Sequence, residues 1–547
     1  MALNIADLFE HAADAFGERV AIACGDRTTT FAELEARANR LAHHLAGQGF
    51  GKGDHIGLYS RNSIEAIETI LATYKLRAVL VNVNYRYVEN ELRYLFDNAD
   101  LVALVHERRF SPRVDAVLAD VPMLRHRLVV EDGTGTETTS TPYEEALANQ
   151  PAARDFGERS PDDIYILFTG GTTGHPKGVM WRHEDVWRVL GGGIDFYTGQ
   201  PLPDEWAQSE RGKESPGLTR LACAPLIHGA AQWAALPALF AGDTVVLLPR
   251  FDPHEVWRAI ERHQVKVVTI VGDAMARPLI EAFHEGSYDA SSLVAFSSHA
   301  ALFSAGVKEQ YLEALPNVVI TDAIGASESG FTGIGIVLKG APQATGGPRV
   351  NSGPNTIVID DDDRPVERGQ IGRIARGGHV PLGYYKDPDK SATIFVEVGG
   401  DRYVVPGDWA RLEEDGTITL LGRGNMCVNT GGEKVFPEEV EEALKSHPDV
   451  FDALVVGVPD ERLGERVAAL VQPRPERTID FAALDAHVRQ RIAGYKTPRS
   501  LWIVDEVGRL PSAKADYRWA KEHTREHEPT WRAAATEAGG AHASVGV

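Results

Sequence analysis

Two periods alternate along the chain. Within residues 4–16, Ile5, Leu8, Phe9 and Ala12 recur three and four apart, which predicts a helix with Asn4 as its cap. Residues 20–24 form a short apolar run that reads as a strand, and Thr30 followed by Glu33 gives a capping-box pattern for a helix through Leu45. The alternation continues with a strand at 55–59, a helix at 63–75, a strand at 78–83, a helix at 89–97 and a strand at 102–105. A helix at 253–263 and a strand at 265–271 extend it. Strands and helices in turn predict a parallel sheet covered on both faces. From Gly353 the pattern changes to short β runs split by Asp-Asp-Asp-Arg and Asp-Gly turns, a barrel-like segment through Leu421. Gly422-Arg423-Gly424-Asn425 marks a candidate domain boundary. Beyond it a helix at 437–446, a strand at 453–458 and a helix at 480–492 predict a compact α+β domain. The charge-rich stretch 203–216 reads as an exposed loop. The end, Ala/Gly/His-rich and aperiodic, reads as disordered.

One stretch combines both kinds of signal. Residues 163–180 read D-I-Y-I-L-F-T-G-G-T-T-G-H-P-K-G-V-M. Ile164 to Phe168 is a buried strand by composition, and it empties into Thr169-Gly170-Gly171-Thr172-Thr173-Gly174. Three glycines allow a tight backbone with its N–H groups turned outward, three hydroxyls add donors, and Lys177 adds a cation. Small size, many donors and one positive charge suit a polyphosphate. The loop is not a Walker A loop, which requires Gly-Lys followed by Ser or Thr, because Pro176 precedes Lys177 and Gly178 follows it. Without a ligand in view, a Gly/Thr surface turn between two strands is the alternative.

Size and charge narrow the picture. A chain of 547 residues exceeds one hydrophobic core, so two or more domains are expected. Lys and Arg number 56 against 78 Asp and Glu, a net charge of −22, which argues against nucleic acid and anionic membrane surfaces as partners. Cys24, Cys223 and Cys427 are scattered and odd in number, so neither a disulfide framework nor a zinc pattern follows, and a reducing cytoplasm is the expected location. The N-terminus lacks the basic and apolar regions of a signal peptide. Residues 221–242 carry no formal charge and are long enough to cross a bilayer, but Pro225, His228, Gly229, Gln232 and Pro237 interrupt them. They read as a strand, a turn and a helix lining a pocket, with no transmembrane segment.

The loop at 169–178 resembles the phosphate loop of the adenylate-forming superfamily, which includes acyl-CoA synthetases, luciferases and peptide-synthetase adenylation domains. The similarity runs from the first helix to about Lys521. It implies an α/β fold: a large N-terminal domain (1–424) of two parallel-sheet subdomains plus a small β-barrel, binding ATP and acyl group. A small mobile α+β lid domain (425–527) and a disordered tail (528–547) complete it. Asp-Ala-Ile-Gly-Ala-Ser-Glu, ending at Glu328, resembles the family's Tyr-Gly-x-Thr-Glu motif, whose glutamate holds Mg²⁺ on the phosphates; by the same resemblance Thr173 joins the metal site, and Gly325 and Ser327 bind the nucleotide. Ile324 stands where the family has an aromatic that stacks on adenine, so an aliphatic contact is implied. Ser298-His299-Ala300 resembles the loop on adenine's other side. Gly407-Asp408 resembles Thr-Gly-Asp, whose aspartate accepts from both ribose hydroxyls, and Arg423 resembles the second ribose or phosphate contact. Lys514 resembles the C-terminal catalytic lysine that bridges carboxylate and α-phosphate, with Ala513 where glycine is usual. Gly432 matches the point at which the lid backbone approaches pantetheine.

The resemblance therefore implies ATP, CoA and Mg²⁺ as cofactors and a small-molecule carboxylic acid as substrate, with homodimer formation left open. His228-Gly229 opens an uncharged helix at 230–240, and no aspartate stands near it to bind an α-amine, which favours an apolar acid. Gly229, Ala230, Ala231, Ala234 and Ala235 leave room for bulk, and His228 is a candidate gate. Val83-Asn84-Tyr85-Arg86-Tyr87-Val88-Glu89, Gly272-Asp273-Ala274-Met275-Ala276-Arg277-Pro278 and Asp516-Tyr517-Arg518-Trp519-Ala520 resemble bacterial ligases for steroid side-chain carboxylates. The implied activity is CoA ligation of a steroid side-chain carboxylate or long-chain fatty acid, through an acyl-AMP, with AMP and pyrophosphate released. An acyl-AMP ligase loading a carrier protein, a silent nucleotide-binding module and a luciferase-like oxidation are the alternatives.

Overall fold

The computed structural model describes residues 3–169, 175–195, 199–299, 301–340, 347–353, 355–430, 433–460, 463–510 and 514–533. Contacts divide the chain into two units, Met1–Leu420 with Pro511–Lys514, and Leu421–Leu510 with Ala515–Val547.

The first unit holds two parallel sheets, where the alternation predicts parallel pairing and the resemblance implies two such subdomains. One has the order Val79–Asn82, His55–Tyr59, Leu101–Glu107, His126–Val130, Thr141–Pro142, all parallel. In the other, Val20–Cys24 lies parallel to Thr244–Leu247, followed by Thr219–Ala222, Val267–Ile270, Ala295–His299 and Val319–Ala326. The chain thus begins on the second sheet and crosses to the first, a partner choice that periodicity alone does not encode. Antiparallel strands Gly330–Val337 and Arg349–Ser352 carry the second sheet into the short strands of the predicted barrel-like segment, Ile371–Arg376, Asp408–Leu412 and Ile418–Arg423 among them.

Local chemistry sets the element ends. Asn4 caps the helix Ile5–Phe16 by accepting from the Ala6 N–H at 2.9 Å. Its amide also donates to Asp163 at 2.9 Å, and Asp163 takes the Arg77 guanidinium, so the first helix is tied to the start of the loop strand. Thr30 and Glu33 form the reciprocal capping box of Phe31–Gly47. Two expectations are corrected. The stretch 203–216 is not simply an exposed loop: Ala207–Lys213 is a helix, and its Gly212 packs so closely that a Cβ would sit 2.1 Å from the Ala241 carbonyl oxygen and 2.9 Å from the Phe16 ring. The tail from 528 is not wholly disordered, since Trp531–Arg532 pairs antiparallel with Ser500–Leu501 and Trp531 stacks on Phe481.

The second unit is a six-stranded sheet with Val450–Asp460 and Gly464–Pro473 as its long hairpin, covered by Pro437–Lys445, Phe481–Arg489 and Tyr517–Glu526. Among the described residues no helix is long and apolar enough to cross a membrane.

Candidate active site

Ile164–Thr169 and Lys177–Arg182 form an antiparallel hairpin, with Thr169 opposite Lys177 and Phe168 opposite Gly178. Together with Gly383–Tyr384 they make a separate three-stranded sheet, so the strand that leads into the loop belongs to neither parallel sheet. Gly178 is required: a Cβ there would lie 2.8 Å from the Phe168 ring. Gly170, Gly171, Thr172, Thr173 and Gly174, the loop itself, lie outside the described residues, as do Ala300 and Gly432.

Lys177 turns to Asp387, forming an ion pair, and its ammonium sits 5.9 Å from the centre of the Tyr384 ring. Asp387 also caps the short helix Pro388–Ala392 through the Lys390 N–H, and the hydrogen bond from Lys177 holds its carboxyl below the usual carboxylate range. The Tyr384 hydroxyl donates to Glu328 Oε1 at 2.8 Å. Ser327 and Glu328 occupy the turn between Val319–Ala326 and Gly330–Val337, and the Trp181 indole N–H fixes that turn by donating to the Ser327 carbonyl at 3.0 Å. Gly325 lies where a Cβ would meet the Gly330 carbonyl oxygen at 2.2 Å, a backbone contact that cannot give way. The structure thus brings Lys177 and Glu328 together at Tyr384, a residue outside the motifs quoted above.

Ser298 and His299 end the neighbouring strand, paired in register with Asp322 and Ala323 of the strand that leads to Glu328. The Ser298 hydroxyl accepts the Gly272 N–H at 3.2 Å, and His299 bonds to Ser297 at 2.9 Å. Burial lowers the His299 imidazole to about 4. Ile324, the expected adenine contact, is only 7% exposed and packs with Val350, Val358 and Ile374, so its side chain serves the antiparallel core and not an open face. Asp408 opens its strand behind Gly407, whose φ is 98°. Arg423 ends Ile418–Arg423 and falls in the second unit, and Lys514 is exposed.

His228 precedes the helix Gly229–Phe240 without capping it by its side chain. Its Nε2 is buried with no hydrogen-bond partner among the described residues. Burial lowers the imidazole to about 4, and the charges of Lys514 and Arg86 act in the same direction, so the ring is neutral at physiological pH. The helix is divided by face. Ala231, Ala235, Leu236 and Phe240 are buried in the core, whereas Gly229, Ala230, Ala234 and Pro237 are half-buried, so the small open stripe excludes two alanines expected to line the pocket. Gly229 lets the helix start against Leu167 of the loop strand, only 2.7 Å from where a Cβ would stand. A buried chain from Trp233 to Tyr165 (3.2 Å), Tyr165 to Gln232 (2.8 Å) and Gln232 to the Leu226 carbonyl (2.8 Å) locks the two together.

Among the described residues there is no cluster of three His, Cys, Asp or Glu that could hold a metal. A single oriented carboxylate, Glu328, fits Mg²⁺, which takes one or two carboxylates and completes its shell with phosphate oxygens and water.

Comparisons with known proteins bear on the family and the fold. The model of the AMP-binding enzyme family matches residues 9–385, and that of the AMP-binding enzyme C-terminal domain matches 439–514. A 3-oxocholest-4-en-26-oate–CoA ligase of Rhodococcus rhodochrous is 56% identical over 535 residues, 96% of each chain. A medium/long-chain-fatty-acid–CoA/3-oxocholest-4-en-26-oate–CoA ligase of Mycobacterium tuberculosis (strain ATCC 25618 / H37Rv) is 56% identical over 530 residues, again 96% of each. The crystal structure of the anthranilate CoA ligase AuaEII with anthranoyl-AMP shares the fold, with a TM-score of 0.84 at 23% identity over 96% of this chain and 98% of that one.

Proposed function

From the premise that the chain belongs to the AMP-binding enzyme family, we propose that it is an ATP-dependent CoA ligase for large apolar carboxylic acids. Steroid side-chain carboxylates and long-chain fatty acids are the substrate class, a reading supported by relatives 56% identical along nearly their whole length whose names carry those acids. The observation that carries it is the Lys177–Tyr384–Glu328 constellation on the hairpin that flanks the loop, whose strand meets the start of an uncharged helix of small residues through Leu167 and Gly229.

A carboxylate is a poor acyl donor because its leaving group would be oxide. In the first half-reaction its oxygen attacks the α-phosphorus of ATP, the bond to the bridging oxygen breaks, and pyrophosphate leaves. Thr169 to Gly174 with Lys177 cradle the phosphates, and Lys514 offsets charge where two anions meet. Glu328 and Thr173 would hold Mg²⁺, whose charge would neutralise the phosphate oxygens. Tyr384 keeps the Glu328 carboxylate aimed. Ser298, His299, Ala300 and Gly325 flank the adenine, and Asp408 and Arg423 hold the ribose. In the second half-reaction the CoA thiol attacks the acyl carbonyl, AMP departs with its new oxygen, and the thiol proton is released. Gly432 leaves space for pantetheine. His228, neutral at working pH, offers a hydrogen bond at the acyl entrance without adding charge. Residues 1–424 serve as the ATP- and acyl-binding domain and 425–527 as the smaller domain that carries Gly432, although contacts group Lys514 with the first unit and Arg423 with the second. Free cysteines and dependence on ATP and CoA support a cytoplasmic location.

The test is the purified protein with ATP, Mg²⁺, CoA and a panel of fatty acids and steroids with short or long side-chain carboxylates. Stoichiometric AMP and acyl-CoA, without any carrier protein, is the expected result. No product from any of these acids, or acyl transfer only to a carrier protein, overturns the proposal.

A further inference from the structure

We propose that Asn82 is a positioning residue that couples the ATP site to the acyl site, an inference that rests on the ligase reading above. Asn82 ends the strand Val79–Asn82 on the first parallel sheet and is 5% exposed. Its Oδ1 accepts the Phe168 N–H at 2.8 Å, and its Nδ2 donates to the Phe168 carbonyl at 2.8 Å and to the Ile227 carbonyl at 2.7 Å.

Ile164–Thr169 is the edge strand of its three-stranded sheet. One side of it bonds to Lys177–Arg182; on the other, at Phe168, the Asn82 amide supplies the donor and acceptor that a neighbouring strand would. Phe168 directly precedes Thr169, where the phosphate loop begins. Ile227 directly precedes His228, where the chain turns into the small-residue helix. One rigid planar amide therefore fixes the backbone at the start of the loop and at the start of the helix, so a displacement of one is felt at the other. No other side chain of this size supplies the set: Asp lacks the two donors, Leu lacks all three partners, and water cannot make good either loss in so closed a place.

Asn62, 4% exposed, is the natural control. It accepts the Leu226 N–H at 2.7 Å and donates to the Ala224 carbonyl at 3.2 Å, so both bonds hold the turn before His228.

The experiment compares wild type, Asn82→Ala, Asn82→Asp and Asn62→Ala. Steady-state adenylation gives kcat and the KM for ATP and for acid. Binding of α,β-methylene-ATP, which cannot release pyrophosphate, is measured calorimetrically with and without saturating acid. Asn82→Ala and Asn82→Asp are expected to raise both KM values about tenfold and to remove the effect of acid on nucleotide affinity. Asn62→Ala is expected to raise the KM for acid alone and to keep that effect. Melting temperatures identify any variant that fails to fold, and Asn82→Asp, of nearly unchanged volume, carries the test if the alanine variant is lost. The inference is overturned if either folded Asn82 variant changes only one KM, changes neither, or retains wild-type coupling. Failure of the ligase reading shows separately, as a wild-type protein that turns over no acid.

Discussion

Removing the Tyr384 hydroxyl is the most direct probe of how Glu328, the proposed metal carboxylate, is held. In Tyr384→Phe the ring remains, so its packing and the Lys177 ammonium 5.9 Å from its centre are kept, while the 2.8 Å bond to Glu328 Oε1 is lost. A hydrogen bond to a charged group contributes about 1.5–3 kcal/mol. Glu328 is only partly buried, and water can replace part of the lost bond, so the lower end applies. About 1.5 kcal/mol corresponds to roughly a tenfold change. The loss should fall on the alignment of the carboxylate for Mg²⁺, and much less on the acid. Acid-dependent exchange of pyrophosphate into ATP, titrated with Mg²⁺, should therefore show the half-saturating Mg²⁺ concentration raised about tenfold, with the KM for acid within twofold of wild type. Binding of Mn²⁺ with α,β-methylene-ATP, followed by electron paramagnetic resonance, should weaken in parallel. Glu328→Gln should be more severe, and the double variant no worse than Glu328→Gln, because both changes act on one interaction. An unchanged Mg²⁺ titration in Tyr384→Phe, or additive losses in the double variant, would refute the reasoning.

Two further outcomes are expected. Lys514→Ala should lower adenylation by two orders of magnitude or more while leaving conversion of supplied acyl-AMP and CoA to acyl-CoA within a few-fold, the two rates being read separately by pyrophosphate release and thiol consumption. Burial lowers His106, His183 and His299 to about 4, against an ordinary value near 6.5, so the unfolded chain binds more protons than the folded one between those limits. Their contribution is complete above about 6.5 and is lost as pH falls towards 4. Thermal melts should be flat from pH 7 to 8 and drop steadily below 6.5, and the drop should be shallower in His183→Gln; a melting temperature that rises on acidification would contradict this.

Much of the fold is readable in the sequence because its signals are local. Asn4, Thr30 with Glu33, Asp252 and Asp480 each stand at a helix start and each accepts from the first turn in the structure. What is not readable depends on partners distant in sequence. The run at 20–24 pairs with Thr244–Leu247, more than two hundred residues away, and nothing in its own pattern says so. The helix Ala207–Lys213 hides in a charge-rich stretch because its few buried positions, Ser209 and Gly212, are small and polar or featureless by composition. Trp531 belongs to a strand although its surroundings have no periodicity, since pairing to Ser500–Leu501 and stacking on Phe481 decide the matter. The same division holds at the site. Glu328 and Lys177 are marked by motifs, whereas Tyr384 and Asn82 act through atoms that only the folded chain brings to them. Ile324 shows the limit of reading by register: its position matches an adenine contact, but its side chain packs inward.

The central claim is that the acid is activated as an acyl-adenylate, and oxygen transfer tests it most directly. With both carboxylate oxygens of the acid labelled with ¹⁸O, complete turnover in the presence of ATP, Mg²⁺ and CoA should leave one labelled oxygen in the phosphate of AMP and none in pyrophosphate. Unlabelled AMP, or ADP formed with labelled inorganic phosphate, would contradict the account.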